Sequence, residues 1–228
     1  MNQIRFDLKK AANYDNLARK AVFGYDQLFT MVLSLLNEIQ NKPANVLVVG
    51  SGTGMELITF GNLMPNWNLT GVDPSEEMIK ISQAKIDYHK LNDRVKLKHG
   101  YIDNLPESEK FDAATLIFVL RFFPDRKKKL SLFQNIGKRL QPGAKLVIID
   151  QYGDPSIDHF KYLLKAWINF MKLEGVPLEL AKRIEAQAME QSFFTEDELL
   201  NLLSEAGFEK PNHFYNSFMH GGWVFQKK

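Results

Sequence analysis

The chain has 228 residues, of which 45% are hydrophobic and 25% are charged. These values are typical of one globular domain and exclude a disordered chain. The 29 basic and 27 acidic side chains leave a net charge of +2, which is too small to indicate a nucleic-acid partner. The longest apolar stretch, Ala113–Leu120, is much shorter than the ~20 residues of a membrane span, and the N-terminus lacks the features of a secretory signal. We therefore expect a cytoplasmic protein with neither membrane nor nucleic acid as its partner.

Cysteine is absent from the sequence, and this excludes several kinds of chemistry. Disulfides, thiolate zinc sites and cysteine nucleophiles all require it. The five histidines show no metal-ligand spacing, so we expect no metal. The basic run Arg126–Lys129 follows Asp125, a suitable helix N-cap, and is interpreted as the solvated face of a helix.

Short apolar runs alternate with amphipathic stretches, which is typical of a parallel sheet with helices on both faces. The predicted strands are 46–49, 69–72, 95–97, 113–118 and 145–149. Helices are predicted at 55–63, after an N-cap at Ser75, and at 125–140, with Pro142-Gly143 forming a turn into the fifth strand. The alternation resumes with a capping box at Thr195–Glu198 and a helix closed by Gly207. The tail 212–228, with Gly221-Gly222 near its middle as the turn, suggests a closing antiparallel hairpin.

Two regions fall outside this alternation. Before the first strand, helices are predicted at 6–20 and 26–40, and after the fifth strand at 160–173 and 177–191. We interpret residues 1–228 as a single domain, in which 1–42 form a helical cover and 151–194 a helical lid. The apolar sides of the cover helices are also suited to a homodimer contact.

The segment NVLVVGSGTGMELITF carries the sharpest functional signal. A buried strand ends in Gly50-Ser51-Gly52-Thr53-Gly54 and leads directly into a helix, so that glycines allow a ligand close to the main chain. A dinucleotide-binding loop reads GxGxxG, but the last of those glycines is replaced here by Met55. The next strand ends in Asp73, whose carboxylate can accept hydrogen bonds from both hydroxyls of a ribose.

These motifs resemble the class I S-adenosylmethionine (SAM) methyltransferases over nearly the whole chain. The matching segments are VLVVGSGTG, LTGVDPSEEMI, HGYIDNLP, FDAATLIFVLRFFPD, LQPGAKLVIID and FTEDELLNLLSEAGF. The resemblance implies a Rossmann-like, mostly parallel seven-stranded α/β sheet whose last strand is antiparallel. It also implies transfer of a methyl group from SAM to a small-molecule acceptor, with S-adenosylhomocysteine (SAH) as product.

The resemblance assigns cofactor contacts to several positions. It places the methionine end of SAM along the loop and the ribose on Asp73. The expected cofactor-binding residues are Tyr14, Arg19, Tyr25, Gly50, Ser51, Gly52, Gly54, Asp73, Pro74, Met78, Tyr101, Ile102 and Ile117. The sequence departs from the family pattern at two sites. Val48 stands where many members have an acid, and Tyr101 stands where many have an aspartate that binds the adenine amino group.

A narrower similarity links the cover and the lid to carboxy-SAM synthases. The segments Phe23-Gly24-Tyr25 and Ala181-Lys182-Arg183 are similar to theirs, and this implies that Arg183 binds the extra carboxylate. Ile117 stands where that family has asparagine, which favours an ordinary methyltransferase. A carboxy-SAM synthase-like enzyme, including one related to tRNA modification, and a non-catalytic SAM-binding module remain as alternatives.

Methyl transfer from a sulfonium depends mainly on positioning the acceptor and excluding water, so no catalytic residue is assigned. If the acceptor must lose a proton, Tyr14, Tyr25, Asp150 and His220 are the candidate bases. We expect the lid to contribute Arg183 and Trp167 to the substrate site.

Overall fold

The computed structural model describes residues 8–123, 125–190 and 192–228. The helices are α1 (Leu8–Ala21), α2 (Tyr25–Leu35), α3 (Met55–Leu63), α4 (Glu76–Tyr88), α5 (Arg126–Arg139), α6 (Asp158–Leu173), α7 (Leu178–Met189) and α8 (Glu196–Glu205). The strands are β1 (Ala44–Val49), β2 (Trp67–Asp73), β3 (Val95–His99), β4 (Phe111–Ile117), β5 (Leu140–Gln151), β6 (Phe208–Ser217) and β7 (His220–Lys227). Each predicted strand is therefore present. The predicted ends of two helices, at 6–7 and at 191, lie outside the described residues.

The strands form one seven-stranded sheet in the order β3-β2-β1-β4-β5-β7-β6. Strands β1 to β5 are parallel, and β7 runs antiparallel to both β5 and β6. The predicted fold class is confirmed. Because β1 leads to β2 on one side and pairs with β4 on the other, a crevice opens at the carboxyl ends of β1 and β4, where sheets of this kind bind ligands.

Both faces of the sheet are buried, which explains the continuous apolar runs in the sequence. Val46 and Val48 of β1 pack on the face that α2 and α3 cover, whereas Leu47 and Val49 pack on the face covered by α5 and α8. Side chains that alternate along the strand thus enter two separate cores.

Side chains cap three of the helices as the sequence predicts. The oxygens of Ser75, Asp125 and Thr195 accept hydrogen bonds from the main-chain N–H groups of Met78, Lys128 and Glu198. These bonds satisfy donors that the first turn of a helix leaves free, and they fix where α4, α5 and α8 begin.

Helix α2 is shorter than its apolar periodicity predicts. It ends at Leu35 rather than at residue 40, and turns follow over 36–41. Leu36 is buried in the core, and the indole N–H of Trp67 donates to the Ile39 carbonyl at 3.1 Å. The helix therefore ends early because tertiary contacts take its last residues. Leu36 packs into the core, and the Ile39 carbonyl accepts from a side chain and not from a further turn of helix.

Two predicted turns are placed differently in the structure. Strand β5 begins at Leu140, and Pro142-Gly143 lies inside it near a register shift against β4, so this dipeptide belongs to a bulge. The C-terminal hairpin is present, but it turns at 218–219, and Gly221-Gly222 lie within β7. A Cβ at Gly221 would collide with Trp223, which explains a glycine there.

The predicted cover and lid pack against each other. Leu17 and Ala21 of α1 contact the apolar cluster of α6 and α7, and the Trp167 indole N–H donates to the Ala21 carbonyl at 2.6 Å. The two irregular regions of the sequence therefore form one cap beside the carboxyl edge of the sheet. No helix within the described ranges is long and apolar enough to cross a membrane.

Candidate functional site

The glycine loop joins β1 to α3 at the crevice. The N–H groups of Gly50 and Ser51 both donate to the Val72 carbonyl of β2, at 2.8 and 3.1 Å. Gly50, Gly52 and Gly54 have φ values of +73°, +50° and +83°, a region that residues with a Cβ rarely adopt. The loop thus requires its glycines for conformation as well as for access.

The space beside each loop glycine differs. A Cβ at Gly50 would collide with Val119, and a Cβ at Gly54 would collide with Ser82. A Cβ at Gly52 would meet no atom of the described residues within 4 Å. Gly52 is therefore the position where the main chain faces open space and where a ligand can lie directly on the backbone.

Asp73 lies next to the loop, as its position in the sequence predicts. Its carboxylate accepts a hydrogen bond from the Gly52 N–H at 2.8 Å and another from the Ser75 N–H at 2.9 Å. Burial raises the pKa of this carboxyl, and the two backbone N–H groups partly offset that rise. Since a carboxylate offers about four lone-pair sites, Asp73 can still accept hydrogen bonds from a ligand.

A narrow cavity of ≈ 40 Å³ lies over the loop. Its lining residues are Tyr14, Tyr25, Phe29, Gly50, Ser51, Gly52, Thr53, Met55, Glu56, Ile117 and Phe118. The aromatic side chains of α1 and α2 form its roof. Small-molecule sites usually measure ~300–1,000 Å³, so a nucleoside-sized ligand requires this roof to move.

Helix α1 is attached to the loop by Asp15. The Thr53 hydroxyl and the Lys85 ammonium both donate to the Asp15 carboxylate, at 2.5 Å in each case. Arg19, which we expected at the cofactor, is exposed and donates to Asp26 of α2 at 2.8 Å. Asp15 and not Arg19 is thus the charged residue of α1 that contacts the loop, although the sequence offered no signal for it.

The expected adenine-side residues flank β2 and β3. Met78 and Ile102 are buried and can contribute apolar surface, whereas Pro74 and Tyr101 are exposed. The Gly100 N–H donates to the Asp73 carbonyl at 2.9 Å, which keeps this segment beside the loop.

The candidate bases are engaged in other interactions. Asp150 accepts from the N–H groups of Leu120 and Gln151, at 2.7 and 2.8 Å, and lies 3.4 Å from Arg121. Burial lowers the pKa of His220 to about 3, so its ring is neutral. Burial also raises the pKa values of Tyr14 and Tyr25.

The two expected substrate residues lie apart. Trp167 is buried in the cap and packs edge-on against His220, with ring centroids 5.7 Å apart. Arg183 is exposed on α7 and does not line the cavity. The structure therefore brings Trp167, but not Arg183, towards the amino end of β7, which lies beside the carboxyl end of the antiparallel strand β5.

Glu56 is a cavity residue that the sequence reasoning did not single out. It is the second residue of α3, its side chain is buried, and its Oε1 has no hydrogen-bond partner among the described residues. Burial raises its pKa to about 7. The available signal was an acid on the first turn of the otherwise apolar segment MELITF.

Comparisons with known proteins agree with this geometry. Residues 47–146 match a family model described as a methyltransferase domain. The chain is 28% identical over 207 residues to a demethylmenaquinone methyltransferase of Thermotoga maritima, covering 87% of this chain and 84% of that one. It is 30% identical over 172 residues to a demethylmenaquinone methyltransferase of Staphylococcus aureus, covering 73% of this chain and 68% of that one.

A solved structure of a SAM-dependent methyltransferase from Aquifex aeolicus shares the fold. Its TM-score is 0.63 at 19% identity, and the match covers 97% of this chain and 99% of that one. The chain thus has the α/β methyltransferase fold. The chain belongs to the class I SAM-dependent methyltransferases, and SAM-dependent methylation of a small molecule is its activity.

Proposed function

We propose that the protein binds SAM along Gly50–Gly54, with its ribose on Asp73, and methylates a small, largely apolar aromatic acceptor. The observation that carries the proposal is the open main chain at Gly52 beside a carboxylate with free lone pairs. When bound, SAM supplies a methyl group on a positively charged sulfur. The loop allows the ligand to approach, and the apolar side chains of Met78 and Ile102 are suited to contact an adenine ring.

The contribution of the chain to catalysis is positioning and exclusion of water. Tyr14 and Tyr25 remain protonated near neutral pH because burial raises their pKa values. Asp150 is held by backbone N–H groups, and His220 is neutral but buried. An acceptor whose nucleophilic atom is already deprotonated, or that loses its proton to solvent, matches this site.

The proposed acceptor class rests on the roof of the cavity and on the relatives. Tyr14, Tyr25, Phe29 and Phe118 surround the opening over the loop, and flat aromatic molecules pack well against such walls. Both relatives described above are demethylmenaquinone methyltransferases. A reduced quinone is therefore the first acceptor to test.

An ordinary methyltransferase is favoured over a carboxy-SAM enzyme. A carboxy-SAM site needs a cation at the added carboxylate, but Arg183 is exposed and lies away from the cavity lining. Ile117, which lines the cavity, offers no polar group there. We propose SAM as the methyl donor, SAH as the product and no metal.

The test is transfer of radiolabelled methyl from SAM to a short-chain demethylmenaquinol, measured in the organic extract. We expect transfer by the wild type and a strongly reduced rate in Asp73→Ala. Asp197→Ala, an exposed acid on α8, serves as control and should keep the wild-type rate. If the protein binds SAM but transfers no methyl to reduced quinones, the acceptor class is wrong.

A further inference from the structure

The Glu56 carboxyl lies on the inner wall of the cavity. It is 6% exposed and shares the cavity lining with Gly50, Gly52 and Ile117. Its Oε1 has no hydrogen-bond partner among the described residues. A buried carboxyl oxygen without a hydrogen bond is costly to a folded protein, so its presence at a ligand cavity needs a reason.

The surroundings of Glu56 supply no compensating cation. The Thr115 hydroxyl of β4 partly lowers the pKa of the carboxyl, but its position falls short of hydrogen-bond geometry. No described lysine or arginine forms an ion pair with it, and none contributes to its pKa. The Glu56 carboxylate contributes to the raised pKa of Tyr25 on α2, and Tyr14 on α1 also lines the cavity. Among the described residues, Oε1 therefore has neither a hydrogen bond nor a cation, and a ligand in the cavity can supply both.

The depth of Glu56 indicates which part of a ligand it meets. Thr115 pairs with Val48 in the β1–β4 register, two residues before β4 ends at Ile117. The carboxyl thus lies on the α3 side, below the level at which Ile117 and Phe118 border the cavity. It can meet a ligand that lies on the glycine loop, because it shares the cavity lining with the loop residues.

We propose that Glu56 binds the α-ammonium group of the methionine moiety of SAM. The proposal rests on the proposed function and adds a residue to the cofactor site. An ammonium group has three N–H donors, whereas the sulfonium has none and must face the acceptor. A charge-assisted hydrogen bond would satisfy Oε1 and retain the ionised carboxylate in a buried place. Glu56 would then provide, from α3, the acid that Val48 does not provide from β1.

The test is calorimetric titration with two ligands that differ in the amino-acid moiety. SAH carries the ammonium group, and 5′-methylthioadenosine lacks it. We expect Glu56→Gln, which removes the charge but keeps the shape, to weaken SAH binding at least about tenfold and to leave 5′-methylthioadenosine binding unchanged. Glu179→Gln, an exposed acid in the first turn of α7, is the matched control and should bind both ligands as the wild type does.

A pH series gives an independent readout. Because burial raises the pKa of Glu56 to about 7, wild-type affinity for SAH should increase about five- to tenfold between about pH 6 and pH 7.5. The increase should be absent in Glu56→Gln. Tyr25 and Tyr14 stay protonated over this range, and Asp15, Asp73 and His99 are present in both proteins.

The possible outcomes separate the proposals. Equal SAH affinities in the wild type and Glu56→Gln would overturn the inference, since the carboxyl would then meet no ammonium group. Equal losses for both ligands would also overturn it, because the substitution would then have changed the cavity as a whole. Binding of SAH and 5′-methylthioadenosine by the wild type supports the proposed function whichever way Glu56→Gln behaves. A wild type that binds neither ligand would overturn both.

Discussion

The buried Glu56 carboxyl should make the stability of the ligand-free protein depend on pH. Its ordinary pKa of 4.5 rises to about 7 in the folded chain because the carboxyl is buried. Between these values the folded state binds more protons than the unfolded state, so stability falls as pH rises through this window. This difference in pKa corresponds to about 3 kcal/mol, which is a large part of the stability of a typical domain.

Urea unfolding of the wild type and Glu56→Gln at a series of pH values measures this effect. The two proteins should have similar stability near about pH 4.5, and the variant should be more stable by about 2–3 kcal/mol near about pH 8. Other titrating groups are common to both proteins and cancel in the difference. If the two stability curves run parallel across the series, the carboxyl is not isolated in the folded state and the reasoning is wrong. A stability gain together with weaker SAH binding would identify Glu56 as a residue retained for function.

Three further predictions concern the loop, the cover and the lid. Gly52→Val should abolish SAH binding in titration, because the valine side chain would enter the open space over the loop and would be strained at a φ of +50°. Wild-type affinity in this variant would show that the ligand lies elsewhere. Deletion of Met1–Lys20 should leave a cooperative thermal transition but weaken SAH binding, because Tyr14 and the hydrogen bond between Asp15 and Thr53 of the loop are lost. Unchanged SAH binding would contradict a role for the cover. Arg183→Ala should leave SAM affinity unchanged, since the Arg183 side chain is exposed. If the wild type prefers carboxy-SAM to SAM and Arg183→Ala removes that preference, carboxy-SAM is the ligand.

The strands and the glycine loop could be predicted because their signals are local. The run Val46–Val49 is apolar on both faces, and the glycines follow it directly, so the β1–loop–α3 unit is encoded within a few residues. Asp73 was predictable for the same reason, since the next strand ends there. Its position 2.8 Å from the Gly52 N–H follows from the parallel pairing of β1 with β2.

The roof of the cavity and the charged contacts around it could not be predicted from local sequence patterns, because they depend on how segments far apart in the chain pack together. Arg19 turns to Asp26, and Asp15 meets Thr53, only after α1 has packed beside α2 and α4. The Glu56 Oε1 atom has no hydrogen-bond partner among the described residues. Whether it finds one depends on the residues of β4 and α2 that pack around it, which are distant in the sequence. Similarly, Gly221 suggested a turn but instead makes room for the Trp223 ring.

Titration of the wild type and Asp73→Ala with SAH tests most directly whether the loop and Asp73 form the cofactor site. Loss of the carboxylate should weaken binding about 30- to 150-fold, equivalent to about 2–3 kcal/mol, while Asp197→Ala binds as the wild type does. A cooperative thermal transition of Asp73→Ala will verify that the variant stays folded without the hydrogen bonds that Asp73 accepts from Gly52 and Ser75. We expect SAH binding that depends on Asp73 and no binding of NADH, since Met55 replaces the last glycine of the dinucleotide fingerprint. Unchanged SAH affinity in Asp73→Ala, or micromolar NADH binding by the wild type, would contradict it.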